Sequence, residues 1–152
     1  MISAWRIIKK KHLKTALTGE GARLYGGRWN SKGKPLIYAA ESRALAVTEI
    51  LVHLDSSAPL ARYVAIKVEF DEALVQEIEV TVLPNTWQAE PAPKRLQIIG
   101  DQWIDAATSA VLRVPSAVIQ GEFNYLLNPA HPDFQKLKFS APENFRMDKR
   151  LR

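Results

Sequence analysis

Hydrophobic and polar residues alternate most regularly in residues 63–70, YVAIKVEF. Every second residue of this segment is apolar, which predicts a half-buried β-strand. Residues 77–83, EIEVTVL, repeat the period of two and predict another strand, with Ile78, Val80 and Val82 on its apolar face. Shorter apolar segments predict further strands at residues 4–8, 35–40, 109–119 (interrupted by Pro115) and 136–139.

Two segments have helical patterns instead. In residues 94–107 the apolar side chains of Leu96, Ile99 and Trp103 fall on one stripe. Residues 43–54 are apolar nearly all round, which predicts a largely buried helix, with Ser42 as its N-cap. Strands and helices follow one another without a regular βαβ alternation. The pattern therefore predicts an α+β fold with a mixed or antiparallel β core and flanking helices.

Length and composition favour a single compact domain over residues 1–152. The chain has no cysteine, which excludes disulfides and thiolate metal sites and fits a reducing cytoplasm. No apolar run approaches the roughly 20 residues of a membrane span, and the N-terminus lacks the pattern of a signal peptide. We therefore expect a cytoplasmic protein without a membrane partner.

The net charge of +5 comes largely from two basic clusters, at residues 9–14 and in the C-terminal tail, about residues 141–152. Such clusters can bind nucleic acid or an acidic partner. They are also typical of a solvated face and a frayed tail. No nucleic-acid motif or aromatic-interleaved basic repeat is present, so the second interpretation is favoured. A basic nucleic-acid-binding module without catalysis stays as an alternative function.

Glu49 is the most conspicuous polar residue, because it lies in the middle of the apolar helical segment. A buried carboxylate costs several kcal/mol unless it is paired or protonated. It can pair with His53 four residues later, or it can serve a functional site. The Glu-x-x-x-His spacing also suits two metal ligands, but no further ligands lie nearby in sequence, and no metal site is predicted.

Glycine is concentrated in residues 19–33, which hold five of the seven glycines of the chain. The segment lacks the spacing of a P-loop. Glycines nevertheless allow close backbone approach to a ligand, and Arg28 among them can bind a phosphate. Trp29 can stack on a base or fill the core, and the core is favoured.

Three other residues are ambiguous when each is taken alone. Tyr38 fits a core tyrosine with a solvated hydroxyl, and Ser116 fits a turn residue after Pro115. His131, between two prolines, fits a loop histidine.

Taken together, three segments resemble the RES domain family. They are GGRWNSKGKPLIYAAES at 26–42, ALAVTEILVH at 44–53 and LRVPSAVIQGEFNYLLNPAHPDF at 112–134. The Arg, Glu and Ser that give this family its name correspond to Arg28, Glu49 and Ser116. The motifs occur in the order of the family, and the resemblance covers most of the chain.

The resemblance implies a fold similar to that of ADP-ribosyltransferases and a role as the toxin of a bacterial type II toxin–antitoxin module. It implies NAD as a substrate, without a resident cofactor, and cleavage of the nicotinamide–ribose bond by hydrolysis or phosphorolysis. Mono-ADP-ribosylation of a protein target is the alternative. The implied partner is an antitoxin with an Xre-like helix-turn-helix, a homodimer stays open, and no direct nucleic-acid binding by the toxin is expected.

The resemblance also implies roles for particular residues. Glu49 is expected to stabilise an oxocarbenium-like ribose. Arg28 would hold the pyrophosphate or a ribose, Tyr38 would stack on nicotinamide, and Ser116 would orient Glu49 or the nicotinamide amide. Arg6 and Asn124 are further candidates for substrate contacts.

Overall fold

The computed structural model describes residues 1–54 and 61–151. The strands of these residues are β1 (Ile2–Lys9), β2 (Ile37–Ala40), β3 (Tyr63–Phe70), β4 (Val75–Glu77), β5 (Val111–Pro115), β6 (Phe123–Leu127), β7 (Lys138–Phe139) and β8 (Glu143–Phe145). They form one sheet in the order β4-β5-β6-β2-β1-β3-β7, and β8 also pairs with β3. The β4–β5 pair is parallel and the other pairs are antiparallel, which confirms the predicted α+β fold with a mixed sheet.

The α-helices of the described residues are α1 (Glu20–Tyr25), α2 (Arg43–Leu51) and α3 (Lys94–Ala106). Short 3-10 helices lie at Lys10–Thr15, Glu72–Leu74, Val80–Val82, Pro132–Lys136 and Lys149–Leu151. Ser42 caps α2 as predicted, because its side chain accepts a 3.0 Å hydrogen bond from the backbone N–H of Leu45. None of the helices in the described ranges is both long and apolar enough to span a bilayer.

One face of the sheet carries both longer helices. Ala40 on β2 lies opposite Trp5 on β1 and Asn124 on β6, so these three residues share that face. Helix α2 packs there through Leu45, Ala46 and Val47. The buried side of α3 packs on the same face with the following apolar residues: Trp29, Leu36, Leu112, Val114 and Leu126. The opposite face has its own core, which includes Ile37, Ala39, Val111, Tyr125 and Leu127.

Residues 77–83 do not form the predicted strand. The pairing of β4 with β5 ends at Glu77, and Val80–Val82 is a 3-10 turn in which Val80 and Val82 are largely exposed. Continued in register, the ladder would place Glu79 opposite Pro115, which has no N–H to donate. The alternation of residues 78–82 therefore does not reflect a buried sheet face.

Two other predictions need correction. Helix α2 is only partly buried: Leu45, Ala46 and Val47 are buried, residues 48–51 are partly exposed, and Ala44 and Val52 are exposed. The C-terminal segment is not a frayed tail over its whole length, because β8 pairs with β3 and Met147 is buried against the core. Hydrogen bonding to a strand and burial of an apolar side chain both hold this segment in place.

Candidate active site

Glu49 lies in the last turns of α2 and is held by side chains from two strands. Its Oε1 atom accepts a 2.8 Å hydrogen bond from Ser116 Oγ and a 2.9 Å hydrogen bond from Asn124 Nδ2. Ser116 directly follows β5, and Asn124 is in β6. The fold therefore brings together three sequence-predicted site residues that are up to 75 positions apart in the chain.

Ser116 is buried, with 1% of its surface exposed, and its hydroxyl is fully oriented. The backbone N–H groups of Val118 and Ile119 each donate to its Oγ at 3.1 Å. The hydroxyl proton is consequently directed at Glu49. The Ser116 hydroxyl thus fixes one oxygen of the Glu49 carboxylate, and its role in catalysis and its contact with a substrate stay predictions.

The two donors on Glu49 share one carboxylate oxygen. Among residues 1–54 and 61–151, no group donates a hydrogen bond to Oε2, and no cation pairs with the carboxylate. The suggested pair with His53 does not form in these ranges, since His53 lies exposed beyond the end of α2. Glu49 is thus a positioned acceptor whose Oε2 receives no hydrogen bond from the part of the chain that the structure describes.

Arg28 is held against the loop that precedes α3. Its guanidinium donates to the carbonyl oxygens of Trp87 at 3.0 Å and Ala89 at 3.1 Å, and it pairs with Glu90 at 3.1 Å. The Arg28 side chain is one-fifth exposed, while that of Glu90 is about three-quarters exposed. A guanidinium fixed by neutral carbonyls and paired with an exposed carboxylate can exchange that carboxylate for a phosphate.

The hydroxyl of Tyr38 bonds to the two residues that follow Arg28. Its hydroxyl donates to Asn30 Oδ1 at 2.6 Å and accepts from the backbone N–H of Trp29 at 3.1 Å. Burial raises the pKa of Tyr38 well above its ordinary value, so the phenol stays protonated at neutral pH. Both hydrogen-bonding functions of the hydroxyl are therefore used within the protein.

Arg6 braces the strand that carries Tyr38. Its Nε donates to the carbonyl of Ala16 at 2.7 Å, and a terminal nitrogen donates to the carbonyl of Tyr38 at 2.9 Å. Burial lowers the pKa of Arg6 to about 10, which still leaves a cation at neutral pH. Arg6 thus links the backbone of Ala16 to that of Tyr38, and its contact with a substrate stays a prediction.

The Glu49 and Arg28 clusters lie on the same sheet face. Tyr38 pairs with Leu126 and Ala40 pairs with Asn124, so Tyr38 and Asn124 are diagonal neighbours on β2 and β6. Such neighbours have Cα atoms about 7–8 Å apart. Asn124, which binds Glu49, and Tyr38, whose hydroxyl bonds to the turn that carries Arg28, are therefore neighbours on this face.

Trp29 is a core residue and His131 is a loop residue, which are the interpretations that the sequence favoured. Trp29 is only 2% exposed and packs in the core beside α3. His131 lies in a loop and caps the Pro132–Lys136 turn, because its Nδ1 accepts from the backbone N–H of Asp133. In the described ranges no three side chains of the metal-ligating types are grouped together.

Helix α3 supplies contacts that the sequence did not reveal. Gln97 donates to the carbonyl oxygens of Gly27 at 3.0 Å and Asn30 at 3.2 Å. Asp101 accepts from the backbone N–H and the hydroxyl of Ser31. These partners are 67 to 70 residues apart, so no local pattern could predict them. The helix thus fixes the turn that carries Arg28.

Comparison with known proteins shows the family to which the chain belongs. The family model of the RES domain matches residues 3–148, and the chain belongs to this family. A curated relative named "Toxin Res", from Yersinia enterocolitica, is 38% identical over 97% of this chain and 98% of its own length. A Sphingobium protein named "Prs ADP-ribosylating toxin" is 40% identical over 98% of this chain and 96% of its own length.

A solved structure supports the fold independently. One chain in the crystal structure of the M.tuberculosis MbcT-MbcA toxin-antitoxin complex superposes with a TM-score of 0.77. The match covers 95% of this chain and 84% of that chain, at 18% sequence identity. At that identity, the likeness concerns the fold alone.

Proposed function

We propose that this chain is the toxin of a bacterial toxin–antitoxin module and that it depletes NAD by cleaving the nicotinamide–ribose bond. The observation that carries the proposal is the Glu49 carboxylate, held through one oxygen by Ser116 and Asn124. The names of the curated relatives, "Toxin Res" among them, support the toxin role.

The chemistry accounts for the need for such a carboxylate. Cleavage at the anomeric carbon of ribose passes through an oxocarbenium-like state, which a nearby negative charge stabilises. Nicotinamide leaves as a neutral molecule, so the site needs no general acid. Glu49 supplies the charge from a helix, and its second oxygen can accept a hydrogen bond from a ribose hydroxyl.

Arg28 would bind the pyrophosphate of NAD. Two carbonyl oxygens hold its guanidinium in place, and the Glu90 carboxylate would give way to a substrate phosphate. Tyr38 would present its ring to nicotinamide, since its hydroxyl is already bonded. These assignments require NAD to lie across β2 and β6, from the Arg28 turn to Glu49.

We predict that Glu90→Gln lowers the KM for NAD by about threefold and changes kcat little, because exposed ion pairs contribute at most about 1 kcal/mol. The variant removes a charge that competes with substrate phosphate for Arg28. Initial rates of nicotinamide release over a range of NAD concentrations measure the effect. Glu79→Gln is the control, since Glu79 is exposed and caps its 3-10 turn without a side-chain hydrogen bond. An unchanged or higher KM for Glu90→Gln would remove Glu90 as a competitor.

The function itself is tested by incubating the purified protein with NAD and measuring free nicotinamide with and without inorganic phosphate. ADP-ribose as the product indicates hydrolysis, and ADP-ribose-1″-phosphate indicates phosphorolysis. Induced expression in a bacterium should lower cellular NAD before growth stops. Absence of nicotinamide release from folded protein, under every condition including an added cell extract, would refute NAD cleavage.

Transfer of ADP-ribose to a protein is the second candidate. It is favoured by one observation, the name of the 40% identical Sphingobium relative. Some ADP-ribosyltransferases have a second acidic residue two positions before the catalytic glutamate, where this chain has Val47, which argues against arginine as the acceptor. With labelled NAD and a cell extract, transfer predicts a labelled protein band, whereas hydrolysis predicts only small products.

We further propose an antitoxin partner with an Xre-like helix-turn-helix. The structural neighbour comes from a toxin-antitoxin complex, which supports a partner of this kind. The antitoxin would insert an acidic segment or a C-terminal carboxylate near Arg28 and block entry of NAD. A structure of the complex with the Arg28 turn open to NAD would contradict this mode of inhibition.

A further inference from the structure

Asn30 is the most completely bonded polar side chain around the proposed site. It is fully buried, and its two Nδ2 hydrogens are directed at three carbonyl oxygens, those of Ala22 at 2.9 Å, Lys34 at 3.1 Å and Ser31 at 3.2 Å, so that one hydrogen is shared. Its Oδ1 accepts the Tyr38 hydroxyl proton at 2.6 Å. Only an amide offers donors and an acceptor in this arrangement, because a carboxylate lacks the donors and an aliphatic side chain lacks both.

The bond to Asn30 decides which part of Tyr38 a ligand can meet. The hydroxyl gives its proton to Asn30 and receives the N–H of Trp29, so it has no proton left for a substrate. Tyr38 lies diagonally across from Asn124, which binds Glu49. The group that Tyr38 can offer on this face is its aromatic ring.

Gly27 leaves the space in which the Tyr38 hydroxyl lies. A Cβ atom at residue 27 would come within 2.6 Å of the Tyr38 oxygen and 2.9 Å of Asn30 Oδ1. The backbone of Gly27 is not in the left-handed region, so alanine fits its conformation and only the side-chain contact is unfavourable. Glycine is required here because of the Tyr38–Asn30 hydrogen bond.

We propose that Asn30 is a positioning residue for NAD cleavage, which holds the Tyr38 hydroxyl so that the ring is fixed against the nicotinamide end of the substrate. The inference rests on the proposed function and adds residues that the family motif of Arg, Glu and Ser does not include. Asn30 acts through Tyr38 and does not contact the substrate. Gly27 permits the contact by having no side chain.

The test combines Gly27→Ala with Tyr38→Phe. Displacement of a positioned group by about 1 Å costs up to about a hundredfold in rate, so we expect Gly27→Ala to lower kcat by roughly that factor. Tyr38→Phe alone keeps the ring but removes the hydrogen bond that holds it, so kcat should fall about tenfold, the equivalent of one net hydrogen bond. Tyr38→Phe removes the nearest atom that the new methyl group meets and leaves Asn30 Oδ1 at 2.9 Å and the ring carbon Cζ at 3.0 Å. The double variant should therefore recover part of the loss and be about tenfold more active than Gly27→Ala alone.

Gly21→Ala is the matched control, because Gly21 lies in α1 and a Cβ there meets nothing within 4 Å. Asn30→Ala is a second probe, and its effect on kcat should shrink in the Tyr38→Phe background. If Asn30→Ala does not fold, the Gly27→Ala pair decides the matter by itself. Thermal unfolding of each variant separates loss of structure from loss of positioning.

The outcomes separate this inference from the proposed function. Wild-type protein that releases no nicotinamide overturns both. Wild-type protein that is active while Gly27→Ala is equally active overturns only the role of Asn30 and Tyr38. A double variant no better than Gly27→Ala also overturns it, since the effect would then not pass through the Tyr38 hydroxyl.

Discussion

Replacing Glu49 with glutamine is expected to lower nicotinamide release about a thousandfold, the effect typical of removing one electrostatic contact with a transition state. The oxocarbenium-like ribose carries a positive charge that the substrate lacks at that carbon, so the carboxylate binds the transition state more strongly than the ground state. The loss should therefore appear in kcat. The KM for NAD should change much less.

Glutamine is the informative substitution because it keeps the local hydrogen bonds. Its amide oxygen can accept from Ser116 Oγ and Asn124 Nδ2 as Oε1 does in the wild-type protein. Alanine would instead leave the buried Ser116 hydroxyl without its acceptor, at a cost of about 1–3 kcal/mol in stability. Loss of activity in Glu49→Gln at an unchanged melting temperature thus reports the charge.

Glu79→Gln again serves as the control, since it removes the same charge from an exposed position outside the site. Nicotinamide release is followed by chromatography for both variants at saturating NAD. If Glu49→Gln retains more than about a tenth of the wild-type rate, the carboxylate is not the main source of transition-state stabilisation. In that case another group must stabilise the ribose cation.

Local sequence patterns predicted much of the framework. The alternation in β3, the stripe on α3 and the Ser42 cap of α2 all depend on residues close in sequence. These local patterns predict the elements correctly because each element buries its own apolar face. The strand predicted at residues 77–83 failed because a strand also needs a partner, and Pro115 ends the available ladder.

Which residues form the candidate site was predicted only from the resemblance to the RES family. Taken alone, Glu49 had a plausible partner in His53, and Ser116 was a plausible turn residue. The structure replaces that pair with donors from Ser116 and Asn124, which are 67 and 75 residues away from Glu49. Contacts at that separation are set by strand order, which no local periodicity encodes.

The burial of Asn30 also depends on residues that are distant in sequence. It lies inside the quoted glycine-rich motif, yet nothing in the sequence tells that its amide is buried and fully bonded. Polar residues beside glycines usually indicate an exposed turn. Burial of this turn depends on α3, which lies more than sixty residues later in the chain.

Gly100→Ala is expected to destabilise the protein by about 3 kcal/mol, the upper range for an overpacked core, and to lower its melting temperature by roughly 10 °C. A Cβ atom at residue 100 would lie 1.6 Å from the carbonyl oxygen of Trp29, well inside the 3.4 Å at which ordinary contact begins. The obstacle is backbone, so no side-chain rotation can relieve it. Helix α3 and the 27–34 turn must separate.

That separation would weaken the contacts that fix the Arg28 turn. Gln97 and Asp101 lie on either side of Gly100 and bond to the turn, and Asp105 pairs with Lys34 at 2.6 Å. Alanine favours a helix over glycine by about 1 kcal/mol, which offsets only part of the clash. We therefore expect the KM for NAD to rise as well, because Arg28 is carried by the displaced turn.

Gly21→Ala is the same chemical change as Gly100→Ala, but it is not expected to destabilise the protein. Gly21 is in α1, has open space around it and does not have a positive φ, so alanine should leave stability unchanged or raise it by up to about 1 kcal/mol. Thermal and urea unfolding of the two variants measure the difference directly. Equal stability of Gly100→Ala and Gly21→Ala would mean that α3 does not pack on the Trp29 backbone and therefore does not fix the Arg28 turn.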